Sequence, residues 1–537
     1  MTTKNMSDTT YGNYSFPCVP AMYRPHPLER LSKNHFVSAL KPWPTEKQLR
    51  KQLEYFPDYD TAQRQLDRPT RIQQLKQLKR FAIALPRVVQ LAESTHATML
   101  EGYLGREPHT PEFNCRLDEL YRSDNLDDYQ RLCGKTNTAQ FTSALVGMSG
   151  VGKSFSMAAI AGLYPPVIHH KELNVYQIPI LQIEMPYNGS SVGTLATAIL
   201  TELHRKFPMG NYKQQYIDTR GNAEQKLLSA FSLMYIHALG LLHVDEAQNK
   251  NYERGNEPQG NASSGQTRLS TLLITASNQM RVPLLLTGTA ELREVLGKRM
   301  SHLRRMVGDG MRPWTALSDM STGNRRSEFD VFLTILWTFQ WTQNVSELTT
   351  EIRTLFFDYT AGVPDFVVKL YHDVQFRAMH GGDEKITPAL IKVVAESEFG
   401  AIRHITQALV KRDRKSLAKI STMSDLSAEL GISPTDDLLV DNDIYLSRMN
   451  EWATQVSMPA TSTVSASVLP SAQVLSELPS IETFASPLEL ASPQRLLIQL
   501  NDVGMPKAAK VLNRRPAEKA TALKPLTGVT MGLLFER

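Results

Sequence analysis

A chain of 537 residues, 42% hydrophobic and 21% charged, has the make-up of a soluble globular protein with two or three domains and a large core. Its three cysteines, Cys18, Cys115 and Cys133, show no Cys-x-x-Cys spacing, which argues against a disulfide framework and a zinc site and for a reducing cytosol. No uninterrupted apolar stretch reaches roughly 18 residues, so no membrane span is expected, and the first residues lack an apolar secretory core. The net charge of +5 permits nucleic-acid contact without requiring it.

Residues 1–35, rich in Tyr, Pro and Asn with little periodicity, read as an extended arm. Residues 41–81 carry ten Lys or Arg against five Asp or Glu, with helical spacing over 70–81. That segment is either a basic face for DNA or a solvated helix. Helices continue over 82–140 with a turn at 105–108. From 141 to 320 strands alternate with helices, which implies parallel strands joined by crossover helices. Strands are expected at 141–146, 177–184, 240–245 and 282–288, with a fifth near Trp314-Thr-Ala-Leu317. Helices are expected at 192–207 and 223–238. Residues 249–266, polar and Gly-rich with Lys250 and Arg254, form an inserted loop. Helices at 328–341, 346–359, 364–379 and 387–401 suit a lid. Residues 449–494 contain no Lys or Arg and abound in Ser, Thr, Val and Pro, the composition of a disordered linker. A basic tail with Lys507, Lys510, Arg514, Arg515, Lys519 and Lys524 follows. It is either a partner-docking peptide or a terminus without function.

Residues 147–154 read Gly-Met-Ser-Gly-Val-Gly-Lys-Ser and fit the phosphate-loop pattern at every fixed position. Gly147, Gly150 and Gly152 are expected to let the backbone turn tightly, aiming its N–H groups at phosphate oxygens. The loop residues Gly147, Met148, Ser149, Gly150, Val151, Gly152, Lys153 and Ser154, with Phe155, are candidates to bind ATP. Lys153 would reach the terminal phosphates and the Ser154 hydroxyl would ligate Mg2+. About ninety residues on, the apolar run from Ala238 to Val244 ends in Asp245-Glu246. Asp245 would hold Mg2+ through water, and Glu246 would polarise the attacking water. His243 is read as facing the other side of that strand and is given no role. The strand at 282–288 ends in hydroxyls, Thr289 being the first choice and Thr287 the second for a group that meets the γ-phosphate. Arg304-Arg305 lies between this strand and the last one.

These features resemble the AAA+ ATPases. The resemblance implies an α/β core with a parallel sheet flanked by helices, a small helical lid, a sensor hydroxyl at Thr289, and an arginine (Arg304 or Arg305) that acts on the neighbouring subunit's nucleotide. More specific stretches are Glu101-Gly-Tyr-Leu-Gly-Arg106, Tyr164-Pro-Pro-Val-Ile-His-His-Lys-Glu-Leu-Asn-Val-Tyr-Gln177, Tyr187-Asn-Gly-Ser190, Ala238 through Gln248 and Asp365-Phe-Val-Val-Lys-Leu370. Through them the chain resembles TnsC, the AAA+ regulator of heteromeric, Tn-seven-like DNA transposition systems.

That resemblance implies ATP-dependent oligomerisation on duplex DNA, a link between a target-selecting protein and the transposase, and disassembly on hydrolysis. The implied organisation is a target-selector-binding arm and helical region at 1–135, an ATPase core at 136–325, a lid at 326–448, the linker at 449–494, and a transposase-docking tail at 495–537. It also implies DNA contacts from Ser190 and Thr194, with Lys213 substituting for a lysine that the loop lacks. One departure stands out. AAA+ lids often carry an arginine where Gly362-Val-Pro-Asp365 ends in an acid, leaving Lys369, one turn on, as a partial substitute. Another AAA+ enzyme, a helicase loader or a replication initiator, would share the whole core. A nucleotide-binding scaffold that barely hydrolyses is a further alternative.

Overall fold

A computed structural model describes residues 8–11, 14–123, 125, 128, 141–186, 191–219, 221–249, 280–289, 292, 311–320 and 326–411. Ser190, Arg304, Arg305, Cys133, the loop from 250 to 266, the linker and the basic tail lie outside the described residues.

Chain order begins with a hairpin, β1 (Asp8–Tyr11) and β2 (Tyr14–Pro17), and a short strand β3 (Val19–Pro20). Helices α1 (Glu29–Ser32), α2 (His35–Ser38), α3 (Glu46–Leu53), α4 (Arg68–Leu75), α5 (Pro86–Tyr103) and α6 (Pro111–Arg122) follow. The core then runs β4 (Thr142–Gly147), α7 (Lys153–Ala161), β5 (Ile168–His170), β6 (Val175–Gln177), β7 (Ile180–Glu184), α8 (Val192–Lys206), α9 (Ala223–Ile236), β8 (Leu241–Asp245), β9 (Leu284–Gly288) and β10 (Met311–Trp314). Helices α10 (Glu328–Trp337), α11 (Thr350–Thr360), α12 (Pro364–Ala378), α13 (Pro388–Glu398) and α14 (Arg403–Val410) complete the described chain. Ser327, Thr349 and Thr387 each accept a hydrogen bond from the first turn of the helix they precede, and Pro364 opens α12, so the lid helices start where the sequence supplies caps.

Five parallel strands form the central sheet in the order β10-β4-β9-β8-β7. The strand bearing Thr287 therefore lies between the strands that lead to the phosphate loop and to Asp245. Both faces of the sheet are covered, so the strands are apolar almost throughout. Alternation along each strand sorts the side chains into two cores. Leu145, Ile180, Leu241 and Leu285 pack toward α5 and the lid, whereas Val146, Leu181, Val244 and Leu286 pack toward α8 and α9.

The structure divides the segment expected as one strand at 177–184. Val175–Gln177 pairs with β5 in a separate small sheet, while Ile180–Glu184 joins the central one. Pro179, without an N–H, marks the break, and its carbonyl still accepts from Leu241 N at 2.9 Å. The fifth strand ends at Trp314 rather than starting near it. It is an edge strand, where Pro313 is tolerated.

Part of the expected N-terminal arm is docked. Val19 N donates to Val167 O at 3.0 Å and Ala21 N to His169 O at 2.8 Å, and Phe16 and Cys18 are buried. Three arginines of the basic segment are engaged within the fold, two of them with the lid. Arg50 is buried and donates to Ala84 O at 2.7 Å, and Arg64 donates to Gln340 O at 3.0 Å. Arg71, 2% exposed, grips Glu384 and donates to Trp341 O at 2.8 Å. Residues of α3–α5 and of the lid share one apolar core.

The Arg71 guanidinium holds the Glu384 carboxyl below its ordinary range against the opposing effect of burial. A depressed carboxylate contributes stability above its unfolded value, which is lost as pH falls through the folded value. Glu384→Gln strands the buried Arg71 charge and is expected to cost about 3–5 kcal/mol. Urea denaturation at neutral pH measures this, and the difference from the unsubstituted chain narrows under acid conditions.

Candidate active site

The phosphate loop joins β4 to α7. Gly150 (φ +86°) and Gly152 (φ +93°) adopt the left-handed conformation that favours glycine. Gly147 has a different reason to be small. A Cβ there would lie 2.2 Å from the Trp314 carbonyl oxygen, so the residue permits the close approach of β10 rather than a turn. A Cβ at Gly152 would meet nothing within 4 Å, so the space beside that turn of the loop is open. The N-terminus of α7 opens on the same point and adds roughly half a positive charge. The buried Lys153 ammonium donates to Gly147 O at 2.7 Å and Met148 O at 2.9 Å. Met148 and Val151 are buried as the loop's apolar footing, whereas Ser149 and Ser154 are exposed and Phe155 is 44% exposed beside them.

Asp245 stands at the tip of β8, one strand beyond β9. Burial alone would raise its carboxyl, but hydrogen bonds from Ser154, Thr287 and the Glu246 amide outweigh this and, with His243 nearby, hold it below the ordinary range. The Glu246 amide donates to Asp245 Oδ1 at 2.9 Å, and the Thr287 hydroxyl donates to the same oxygen. The structure thus brings Ser154 and Asp245 together.

Glu246 follows in a left-handed conformation, φ +49°, which costs a non-glycine residue about 1 kcal/mol or more. That kink turns its side chain out of the strand's alternation. The carboxylate accepts from Gln248 Nε2, and Gln248 Oε1 accepts from Thr289 N at 3.0 Å. The buried Gln248 therefore links Glu246 to the tip of β9, a role that its place three residues after Asp245 did not announce.

One expectation changes, that for His243, and the two threonines at the end of β9 bond different partners. Thr287, fully buried, is the hydroxyl that reaches Asp245, while Thr289 lies one residue past the strand and gives its amide to Gln248. His243 shares the face of Asp245 instead of opposing it, because residues two apart in a strand point the same way. It contacts Thr287 Oγ1 at 3.0 Å and Gln182 Nε2 at 3.2 Å, and burial lowers its pKa to about 4.

The lid reaches the loop at Asp365. Its amide donates to Gly150 O at 3.2 Å, and its side chain accepts from Lys369 Nζ at 2.6 Å. Lys369 is thus engaged by the acid that replaces the arginine. Thr194 sits in the first turn of α8 and donates to Ser191 O at 3.0 Å. Lys213 lies near His204, whose pKa is lowered first by burial and then by that ammonium. Ten residues of helix separate Thr194 from His204, about 15 Å at 1.5 Å per residue.

An open phosphate cradle, a lysine on it, and two hard oxygen donors, Ser154 and Asp245, fit a nucleoside triphosphate with Mg2+. Fold and site define a P-loop nucleotide-binding α/β core. Residues 137–296 match the family model described as an AAA domain. Among solved structures, the RuvB Holliday junction branch migration motor of Thermotoga maritima aligns at 15% identity over 62% of this chain and 98% of its own, with a TM-score of 0.28. A point variant of RuvB from that organism aligns at 14% identity over 63% and 100%, with a TM-score of 0.28. No curated protein matches the chain. Among the described residues no helix is long and apolar enough to cross a membrane.

Proposed function

We propose that this chain is an ATP-dependent regulator of DNA transposition that assembles on duplex DNA, connects a target-selecting protein to a transposase, and disassembles on ATP hydrolysis. The reading rests on the sequence stretches that resemble TnsC. The geometric observation that supports a composite site is the contact of Asp365, rather than an arginine, with the phosphate loop. A lid that brings an acid to this point leaves room for positive charge supplied by a second subunit. Arg304 or Arg305 is the candidate for that charge.

In this reading ATP and Mg2+ bind between the phosphate loop, Asp245 and Ser154 of one subunit. Mg2+, when bound, neutralises developing phosphate charge. Glu246 takes the proton of the attacking water, and Gln248 orients its carboxylate. Thr287 holds Asp245 in register. Ser190 and Thr194 offer hydroxyls to DNA phosphates without reading bases. The arm and helices of 1–135 meet the target selector, and the basic tail meets the transposase in a bacterial cytoplasm.

Arg304→Ala and Arg305→Ala, made separately, are expected to differ. Loss of the arginine that acts in trans slows turnover by about a thousandfold or more. The other variant stays near the unsubstituted rate. Steady-state hydrolysis with saturating duplex DNA measures both, and normal rates in both variants would remove the trans-arginine assignment. Transposase genes beside the coding sequence would support the transposition role, whereas replication genes there would favour a helicase loader.

A further inference from the structure

We infer that His243 is a positioning residue for the Mg2+ ligand Asp245, acting through Thr287 along a hydrogen-bonded row that crosses three strands. The inference rests on the nucleotide-site reading above. Gln182 on β7, His243 on β8 and Thr287 on β9 project from one face of the sheet. Gln182 Nε2 lies 3.2 Å from His243 Nδ1, and His243 Nε2 lies 3.0 Å from Thr287 Oγ1. Thr287 Oγ1 in turn bonds Asp245 Oδ1. His243 and Thr287 are 2% and 0% exposed, so bulk water does not compete at either end of their contact.

Proton counting fixes the direction of this row. An ionised Asp245 carries no proton and only accepts. Thr287 has a single hydroxyl proton, and the bond to Asp245 uses it. Thr287 can then only accept from His243, so Nε2 of the neutral imidazole bears the hydrogen. Nδ1 is left as an acceptor, matched by the amide N–H of Gln182. Every donor has one acceptor, and the tautomer follows without further assumption.

The consequence lies at the carboxylate. Asp245 Oδ1 receives two hydrogen bonds, from the Thr287 hydroxyl and from the Glu246 amide at 2.9 Å. Oδ1 is thus engaged from the protein side, and Ser154, the other candidate Mg2+ donor, bonds the same carboxylate, so the orientation of that carboxylate decides how the two oxygen donors meet a metal ion or its water. Without the Nε2–H donor, the Thr287 hydroxyl is free to rotate its proton away from Asp245, and the carboxylate loses one of the bonds that set its orientation. The expected signature is a weakened Mg2+ contribution to nucleotide binding, not a loss of nucleotide binding itself.

The test uses the full-length chain and a fluorescent ATP analogue, titrated at increasing Mg2+ and also in EDTA. The variants are His243→Leu, which removes the donor, His243→Gln, which supplies an N–H at the Nε2 position, and Asp245→Asn as the reference for a damaged metal site. In His243→Leu the half-saturating Mg2+ concentration is expected to rise about tenfold, in His243→Gln to stay within about threefold of the unsubstituted chain, and in both the affinity in EDTA to remain unchanged. An unaltered Mg2+ requirement in His243→Leu alongside a raised one in Asp245→Asn overturns the relay alone. An unaltered requirement in Asp245→Asn overturns the nucleotide-site reading and the relay with it. Equal weakening of His243→Leu and His243→Gln with and without Mg2+ marks a purely structural histidine and also overturns the inference.

Discussion

Glu246→Gln is expected to reduce ATP turnover by about a hundredfold to ten-thousandfold while ATP binding persists. The substitution keeps the shape of the side chain and an oxygen for the Gln248 contact, and it removes the negative charge and with it the capacity to take a proton. The unusual backbone at Glu246, φ +49°, is matched by three neighbouring bonds, from the Gln248 side chain, from Asn249 N to Glu246 O at 2.9 Å, and from Glu246 N to Asp245. Because these bonds position residue 246 before any substrate arrives, the variant should bind nucleotide normally and remain assembled on DNA for longer than the unsubstituted chain. Single-turnover hydrolysis and sedimentation on duplex DNA measure the two effects. Ordinary hydrolysis by this variant would remove the water-activating role from Glu246.

Lys153→Ala should have the larger effect on binding. Its ammonium carries the formal positive charge of the described loop, and it spans the two ends of the loop through Gly147 O and Met148 O. Removing it takes away a charge-assisted contact to phosphate, on the order of 3 kcal/mol or about a hundredfold in affinity. Assembly should fail in parallel, since the proposal makes the bound triphosphate part of the contact between subunits. Equilibrium binding of a fluorescent ATP analogue and light scattering with DNA test the pair of effects. Retained binding with lost assembly would separate the two functions and contradict the bridging role. A thermal melt close to that of the unsubstituted chain shows that the fold survives.

Much of this architecture is legible in residue order, for reasons that can be named. The phosphate loop is a contiguous signal, because a tight turn between a buried strand and a helix needs glycine at fixed places. The buried strands announce themselves as short apolar runs, and the lid helices as apolar periodicity opened by Ser327, Thr349, Pro364 and Thr387. What escaped depends on contacts between strands. That Thr287 rather than Thr289 bonds Asp245 is decided by how far β9 extends beside β8, which no local pattern encodes. His243 passes for an ordinary core residue until Gln182 and Thr287 flank it across the sheet. The basic segment shows charge but not its partner, and Arg71 finds Glu384 only across 313 positions of chain.

The stretches that carry the family resemblance prove to interlock far from the loop. Gln177 Nε2 donates to Tyr103 Oη at 2.8 Å, and Gln177 Oε1 bonds His170 Nε2 at the same distance. Tyr103 Oη donates to Ala238 O at 3.1 Å, while Arg106 Nη1 donates to Leu239 O at 2.9 Å. Buried polar groups of this kind gain from bonding one another away from water. Residues 101–106, 164–177 and 238–248 are therefore parts of one packing arrangement that fastens α5 and the small sheet to the root of β8.

The most direct measurement of the central claim is the mass of the purified chain on a short duplex of arbitrary sequence, with a non-hydrolysable ATP analogue and Mg2+, by analytical ultracentrifugation. The account predicts nucleotide-dependent oligomers on the duplex, abolished by Lys153→Ala. A chain that binds the analogue yet remains monomeric and sediments apart from the DNA would contradict it.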